Sequence, residues 1–454
     1  MANLNQNNGE REKWGSKLGF ILAASGSAVG LGNLVKFPAA AAKNGGGAFV
    51  LVYFIILFLV GFTLMLAEIA MGRHTGLNAI GAYRKISKKW AWVGGLGVLA
   101  GFMILSYYSV IGGWVINYLV KSLTGGLNVS DPAKLGDMFG TFITSSSGPL
   151  IYHGIFLLIT MIIVIKGIGG GIEKSSKIMM PALLIMIVLI AIRAMTLPGA
   201  SEGIKYLLVP DFSKITPEVV LTALGQVFFS LSLGMGCMIT YGSYLDKETN
   251  IPQSATIIPL IDTGVALFAG LAVLPAVFAY NLDPNVGLGI IFNSFPAIFS
   301  QLPLGGLFAI IFFVLVLFAA LSSSISLLEV CVAYVVDEFK INRKVAVSGL
   351  GVIIFLVGAA ASLSLGVWSD VKIFGMTIFD ILDYGSANFL LPLGGLLLCI
   401  FVGWVWGTDN AIKEVTNGGK LEFKLSGLWT ILIKYVGPIA IAMVFIQKIK
   451  ELIG

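Results

Sequence analysis

Eleven apolar runs divide this chain, each long enough to cross a lipid bilayer or nearly so. They cover residues 18–42, 46–71, 91–121, 149–166, 176–197, 217–242, 254–280, 304–336, 345–365, 377–406 and 427–447. About 20 residues of α-helix reach across the hydrocarbon. Inside lipid every backbone N–H and C=O needs a partner within the protein, which leaves helices as the structure for such runs. The expected fold is therefore all-α: a polytopic membrane protein of about 11 transmembrane helices. It forms a single domain over 16–454 behind a polar tail at 1–15. Only 11% of the residues are charged, against about 25% in soluble domains, too few to cover a water-facing surface. The run after the tail has no convincing small-residue cleavage site and reads as a retained span.

Most of the basic residues sit between the runs or at their ends. Arg73, Arg84, Lys85, Lys88 and Lys89 lie between spans 2 and 3, Lys174 and Lys177 after span 4, and Lys340, Arg343 and Lys344 after span 8. All fall on one side if Arg11, Lys13 and Lys17 share it, and the positive-inside rule makes that side cytoplasmic. The expected location is the plasma or inner membrane, with the N-terminus in the cytoplasm. On the other side, 122–148 and 281–303 are long and turn-rich. The second has an apolar middle that reads as a short re-entrant or capping helix.

The net charge of +6 is no nucleic-acid footprint, because no Lys/Arg stripe with interleaved aromatics occurs. The three cysteines, Cys237, Cys331 and Cys399, lie inside apolar runs, and the two histidines, His74 and His153, lie far apart. Disulfide and zinc-site readings are correspondingly poor. No GxSxG, HExxH or His/carboxylate cluster supports an enzyme. No obligate protein partner is evident.

Two runs are interrupted. The first carries SGSAVGLGN at Ser25–Asn33, and the sixth, five spans later, carries SLSLGMG at Ser230–Gly236. Glycines that pack helices together are the alternative reading of either break alone. Two breaks at matching positions of five-span halves point instead to a transporter binding site, a rule drawn from transporters of this inverted-repeat kind. A broken helix frees N–H groups that can hold a carboxylate and carbonyls that can hold a small hard cation. An α-amino acid with sodium satisfies both.

Residues 11–49 read REKWGSKLGFILAASGSAVGLGNLVKFPAAAAKNGGGAF, followed by GQVFFSLSLG at 225–234 and FAALSSS at 318–324. This order of motifs resembles the neurotransmitter:sodium symporter family, in its bacterial amino-acid transporter branch, from about Arg11 to Phe445. The resemblance implies a LeuT-type fold of two inverted five-helix repeats with helices 1 and 6 unwound. The repeats would run about 16–197 and 217–406, with an extra helix at 427–447. It also implies sodium-coupled symport of an amino acid by alternating access. A receptor or channel-like protein on the same fold is the alternative.

The resemblance assigns roles residue by residue. One sodium site would use the Ala28 carbonyl, Asn33, Ser230 and Asp262 with the substrate carboxylate. The other would use the carbonyls of Gly26, Val29 and Ala319 and the hydroxyls of Ser322 and Ser323. The substrate would meet Ala28, Gly30, Leu31, Gly32, Ser230, Ser232 and the Tyr108 hydroxyl, with Ile104, Phe229, Met235, Ser323 and Leu327 around its side chain. Met235 stands where leucine-transporting members carry Phe, and a flexible thioether makes room for a larger group. This favours tyrosine, tryptophan, phenylalanine or leucine. Lys36–Asp383, with Phe229, Tyr108 and Gln226, would close the outer side. Arg11–Asp337, with Trp14 and Tyr244, would close the inner side.

A lone carboxylate inside a span is costly and usually functional. Asp262 would supply the negative charge that chloride supplies in chloride-dependent relatives, which carry Ser where this chain has Ala266. The spacing of Gly171 and Pro181 matches relatives thought to unwind helix 5. A plain helix start with an interior Pro is the alternative.

Overall fold

The computed structural model describes residues 11–280 and 289–453. Long apolar helices dominate it. In chain order the elements are α1 Lys17–Ala28, α2 Gly32–Lys43, α3 Gly47–Thr75, the short α4 Ala79–Ile86, α5 Lys88–Leu123, α6 Pro132–Thr144, α7 Gly148–Ile165, α8 Ile168–Met195 and α9 Ala200–Leu208. There follow α10 Pro217–Ser230, α11 Cys237–Gly242, α12 Ile251–Ala279, α13 Ile291–Ser300, α14 Gly305–Phe339, α15 Arg343–Leu363, α16 Ile378–Val415 and α17 Ser426–Gln447. Among the described residues, extended structure is confined to two isolated bridges, Gly46–Pro210 and Ile373–Met376.

Nine of these helices are long and apolar enough to cross a membrane. A tenth crossing is the pair α1 and α2, bent by 51° at residues 29–31. The eleventh expected span is α10 plus α11, two pieces too short to cross alone, joined by the turn at 231–236. The chain is thus an all-α, polytopic integral membrane protein.

The helices obey the solvent on each side. On α8, Ile178, Ile185, Leu189 and Ile192 are each about half exposed or more. Their spacings of 7, 4 and 3 keep them on one stripe of a 3.6-residue helix. In water such a stripe would be an aggregation hazard; in lipid it is the solvated face. Large rings fill the interior, and Phe37 packs edge-on against Tyr53 with centroids 5.1 Å apart. Ends are capped by chemistry visible in the sequence. Ser16 Oγ accepts the Gly19 N–H at the start of α1, and Thr216 caps α10 with Pro217 as its first residue.

Several spans contain a wide π-type turn: Gly32–Lys36, Leu57–Gly61, Ile168–Glu173, Ser386–Leu390, Phe401–Gly407 and Leu432–Val436. Four details differ from the sequence reading. The turn-rich stretch 122–148 contains the 13-residue α6, started by Asp131 and Pro132. The short α9 was not foreseen, because it is amphipathic and lies between spans. Span 5 begins at Ile168, not 176, because its first turn is glycine-rich. Span 10 runs on to Val415 through a wide turn. Of the expected capping segment, 289–303 holds α13, and 281–288 lies outside the described residues.

Candidate functional site

The two breaks lie against each other in the middle of the bundle. In the first, Val29 adopts extended backbone (φ −72°, ψ 109°) and the α-helical ladder stops. In the second, Ser232, Gly234 and Gly236 take φ of 54°, 79° and 75°. Glycine is at home in that region; Ser232 is held there by a hydrogen bond from its hydroxyl to the Ser27 carbonyl, 2.9 Å. Freed backbone groups find side-chain partners. Gln226 Nε2 donates to the Gly32 carbonyl at 3.0 Å, Leu31 N–H lies 3.4 Å from the Tyr108 hydroxyl, and Gly234 N–H donates to buried Glu68 at 2.8 Å.

A small cavity of about 30 Å³ lies between the breaks. Its walls are Ser27, Ala28, Gly30, Leu31, Gly32, Ile104, Tyr108, Phe229, Ser232, Met235, Ser323 and Leu327. All but one of the residues assigned to substrate thus share a wall; Ser230 lies beside it instead, on Asp262, and Ser27 takes a place not foreseen. The backbone comes very close here. A Cβ on Gly30 would lie 2.6 Å from Ser323 Oγ, and one on Gly32 would lie 2.8 Å from the Phe229 ring. At either position a larger residue would have to push a cavity-wall side chain aside.

Asp262 lies beneath this cavity and is fully buried. Asn33 Nδ2 donates to its Oδ1 at 2.7 Å, Ser230 Oγ to its Oδ2 at 2.9 Å, and the Tyr53 hydroxyl lies 3.4 Å from Oδ2. Among the described residues no Lys, Arg or His forms an ion pair with it. Asn33 Oδ1 accepts the Gly30 N–H at 3.0 Å, so its amide, as placed, turns nitrogen toward the carboxylate. A cation between Asn33 and Asp262 requires that amide turned over, which exchanges the two atoms at no cost in shape.

A second oxygen cluster lies where α1 meets α14. Ser322 Oγ is 3.0 Å from the Ala319 carbonyl and 3.3 Å from that of Val29, and Ser323 Oγ is 3.3 Å from both. Gly26 faces the same corner, since a Cβ there would sit 3.1 Å from Ser322 Cβ. All five residues assigned to this cluster come together. Among the described residues no group of three His, Cys, Asp or Glu side chains exists, so the donors available to a cation are oxygens from hydroxyls, carbonyls and one carboxylate. Such a set suits a hard cation. Ala266, one turn beyond Asp262, is buried and adds no hydroxyl.

On the face away from Arg11, a funnel of about 750 Å³ opens, lined by Lys36, Tyr107, Tyr108, Gln226, Phe229 and Asp383 among others. Lys36 and Asp383 meet loosely across it. Nζ lies 3.9 Å from Oδ1, both side chains are more than 40% exposed, and the ammonium sits 3.7 Å from the centre of the Phe229 ring. The aromatic face is as close a partner as the carboxylate.

The opposite face is shut. Arg11 pairs with Asp337 at 2.5 Å, donates to Ser243 Oγ at 2.8 Å and stacks over Tyr244 at 4.7 Å. Trp14 Nε1 donates to the Tyr241 carbonyl at 2.9 Å. This closure is larger than the sequence suggested. Tyr244 donates to fully buried Glu329 at 2.7 Å, Glu329 is paired with Arg343, and Asn78 adds two hydrogen bonds to Asp337 at 3.0 Å. Glu329 was missed although a carboxylate inside an apolar run was the available signal. Gly171 and Pro181 lie on α8, which is wound throughout, with the wide turn at Ile168–Glu173.

A helical bundle with two facing broken spans, open on one face and latched on the other, is the architecture of a membrane transporter, not of an enzyme. Comparison with known proteins agrees. The model of the sodium:neurotransmitter symporter family matches residues 11–134 and 145–453. The uncharacterized sodium-dependent transporter YhdH of Bacillus subtilis (strain 168) is 44% identical, over 96% of this chain and 97% of its own. The human sodium- and chloride-dependent GABA transporter 2 is 28% identical, over 90% of this chain and 75% of its own. Among solved structures, MhsT in complex with L-phenylalanine superposes with a TM-score of 0.90 at 44% identity, covering 97% of this chain and all of that one. The chain belongs to the sodium:neurotransmitter symporter family.

Proposed function

We propose that this protein is a sodium-coupled symporter of hydrophobic or aromatic L-amino acids that works by alternating access and needs no chloride. The observation that carries the reading is Asp262: a fully buried carboxylate beside two helix breaks, hydrogen-bonded but without a cationic side chain. An unpaired charge in such a place is expensive, and a bound cation removes the cost. Asn33, Ser230 and the Ala28 carbonyl complete one sodium site beside it. The carbonyls of Gly26, Val29 and Ala319 with Ser322 and Ser323 form a second.

The substrate carboxylate sits at the Gly30–Gly32 backbone and the Tyr108 hydroxyl. Ile104, Phe229, Met235 and Leu327 surround the side chain, which favours phenylalanine, tyrosine, tryptophan or leucine. The solved relative in complex with L-phenylalanine supports that choice. The Arg11 side faces the cytoplasm of a plasma or inner membrane. Each sodium entering at 100 mV then contributes about 2.3 kcal/mol of drive. Because Asp262 supplies the fixed negative charge, uptake of phenylalanine into proteoliposomes is expected to be abolished when choline replaces sodium and to be unchanged when gluconate replaces chloride. Uptake that collapses in gluconate overturns the chloride-independent reading. Absence of any sodium-dependent amino-acid binding overturns the whole.

A further inference from the structure

The N-terminal segment and the start of α8 hold each other through two carboxylates. Glu173, at the end of the wide turn of α8, is 3% exposed. Its Oε2 accepts the Gly15 N–H at 2.7 Å, its Oε1 accepts the Ser16 hydroxyl at 2.8 Å, and Lys177 Nζ lies 2.6 Å away. Ser16 Oγ in turn accepts the Gly19 N–H at 3.0 Å and so caps α1. The fit is tight, because a Cβ on Gly19 would lie 2.2 Å from Glu173 Oε1. In return Glu12, from the segment before α1, accepts the Ile168 N–H at 2.5 Å. That N–H is one of the unpaired donors at the start of α8, and Gly167, at φ +81°, leads into it. Glu12 thus caps the start of α8, and Glu173 holds Ser16, the residue that caps α1; negative charge favours both positive helix ends.

The two helices meet again deeper in the membrane. A Cβ on Gly26 would lie 3.3 Å from Met180 Sδ, so Met180 packs against the corner formed by Gly26 and Ser322. Met180 is seven residues beyond Glu173, or about 10 Å of helix.

We propose that Glu12 and Glu173 form a reciprocal latch, with Glu173 the positioning residue. It keeps the first turns of α8 wound against α1 and thereby keeps Met180 over the Ser322–Ser323 cation site. Release of the N-terminal segment frees the Ile168 N–H and takes the Gly15 and Ser16 donors from Glu173 at once, so the start of α8 loosens with it. The site it covers rests on the transport reading above; the latch itself does not.

Hydrogen–deuterium exchange of the full-length protein in nanodiscs tests it, first without added ligand and then with sodium alone. Glu173→Ala is expected to speed exchange of 168–180 and 15–28 about tenfold or more, the loss of one buried charged acceptor, while 217–230 is unchanged. Lys177→Ala, which leaves the Gly15 and Ser16 hydrogen bonds in place, is expected to have a small effect, and Glu173→Gln, which keeps an acceptor, to restore much of the protection. Glu12 is exposed, so Glu12→Ala will fold, and it is expected to speed exchange of 168–173 alone. Equal rates in Glu173→Ala and wild type, acceleration spread over all helices, or no effect of Glu12→Ala each overturn the latch. Wild-type protein that ignores sodium overturns the transport reading instead and leaves the ligand-free comparison intact.

Discussion

Replacing Asp262 with asparagine should act in opposite directions on the empty protein and on its response to sodium. The side chain is fully buried, and its visible partners are neutral: Asn33, Ser230 and Tyr53. In the ligand-free protein the charge has no cation, and removing it relieves a desolvation cost on the order of 1–3 kcal/mol. Sodium loses a full opposite charge. Two unit charges 4 Å apart interact by about 4 kcal/mol at an effective dielectric of 20, which is about a thousandfold in affinity. Thermal unfolding in choline with increasing sodium measures both. Asp262→Asn should unfold at a higher temperature than wild type in choline. It should then need about a thousandfold more sodium for the same stabilisation. Equal sodium midpoints in the two proteins would refute the reasoning, because the carboxylate would then be no part of the cation site. A lower unfolding temperature in choline would show that Asp262 is compensated by a partner the argument leaves out.

Other perturbations follow from single distances. Gly30→Ala should abolish amino-acid binding while leaving the protein folded, since the added carbon lies 2.6 Å from Ser323 Oγ in the cavity wall; scintillation proximity binding of phenylalanine checks it. Phe229→Ala should speed phenylalanine dissociation more than Asp383→Asn does, because Lys36 is held at least as closely by the ring as by the carboxylate. Met235→Phe should shift preference from tryptophan toward leucine by narrowing the cavity, read by competition binding. Glu329→Gln should leave the partly buried Arg343 without its charge partner and cost about 1–3 kcal/mol of stability, seen as a lower unfolding temperature.

The spans were legible because lipid permits few alternatives: a run of apolar residues of the right length is a helix. The breaks were legible because Gly, Ser and Asn interrupt such runs at matching places. Family motifs then named the residues that the structure gathers around one small cavity, apart from Ser230, which lies on Asp262. What stayed hidden depends on pairings between separate elements. Glu329 meets Arg343 across a helix boundary, and Glu173 meets Gly15 and Ser16 across more than 150 residues. Glu329 could be noticed as a carboxylate inside an apolar run, but no local pattern names the partner of either acid. The orientation of the Asn33 amide and the looseness of the Lys36–Asp383 pair are distances, and no spacing rule encodes them. The helices α6 and α9 escaped because they cross no membrane and lack the apolar run that revealed the others.

The wide turns also bear on how this chain can be cut and joined. Such a turn takes up one residue more than an α-turn, and one residue advances an α-helix by about 100°. The stripe that faces lipid therefore changes phase at Ser386–Leu390 and again at Phe401–Gly407, within one continuous span. A single-residue deletion inside either turn would let it rewind and would rotate everything beyond it, carrying Trp404 or Glu414 to a new side. Chimaeras between this chain and its relatives should be spliced with the turns kept whole, and natural length differences inside spans should gather at these points.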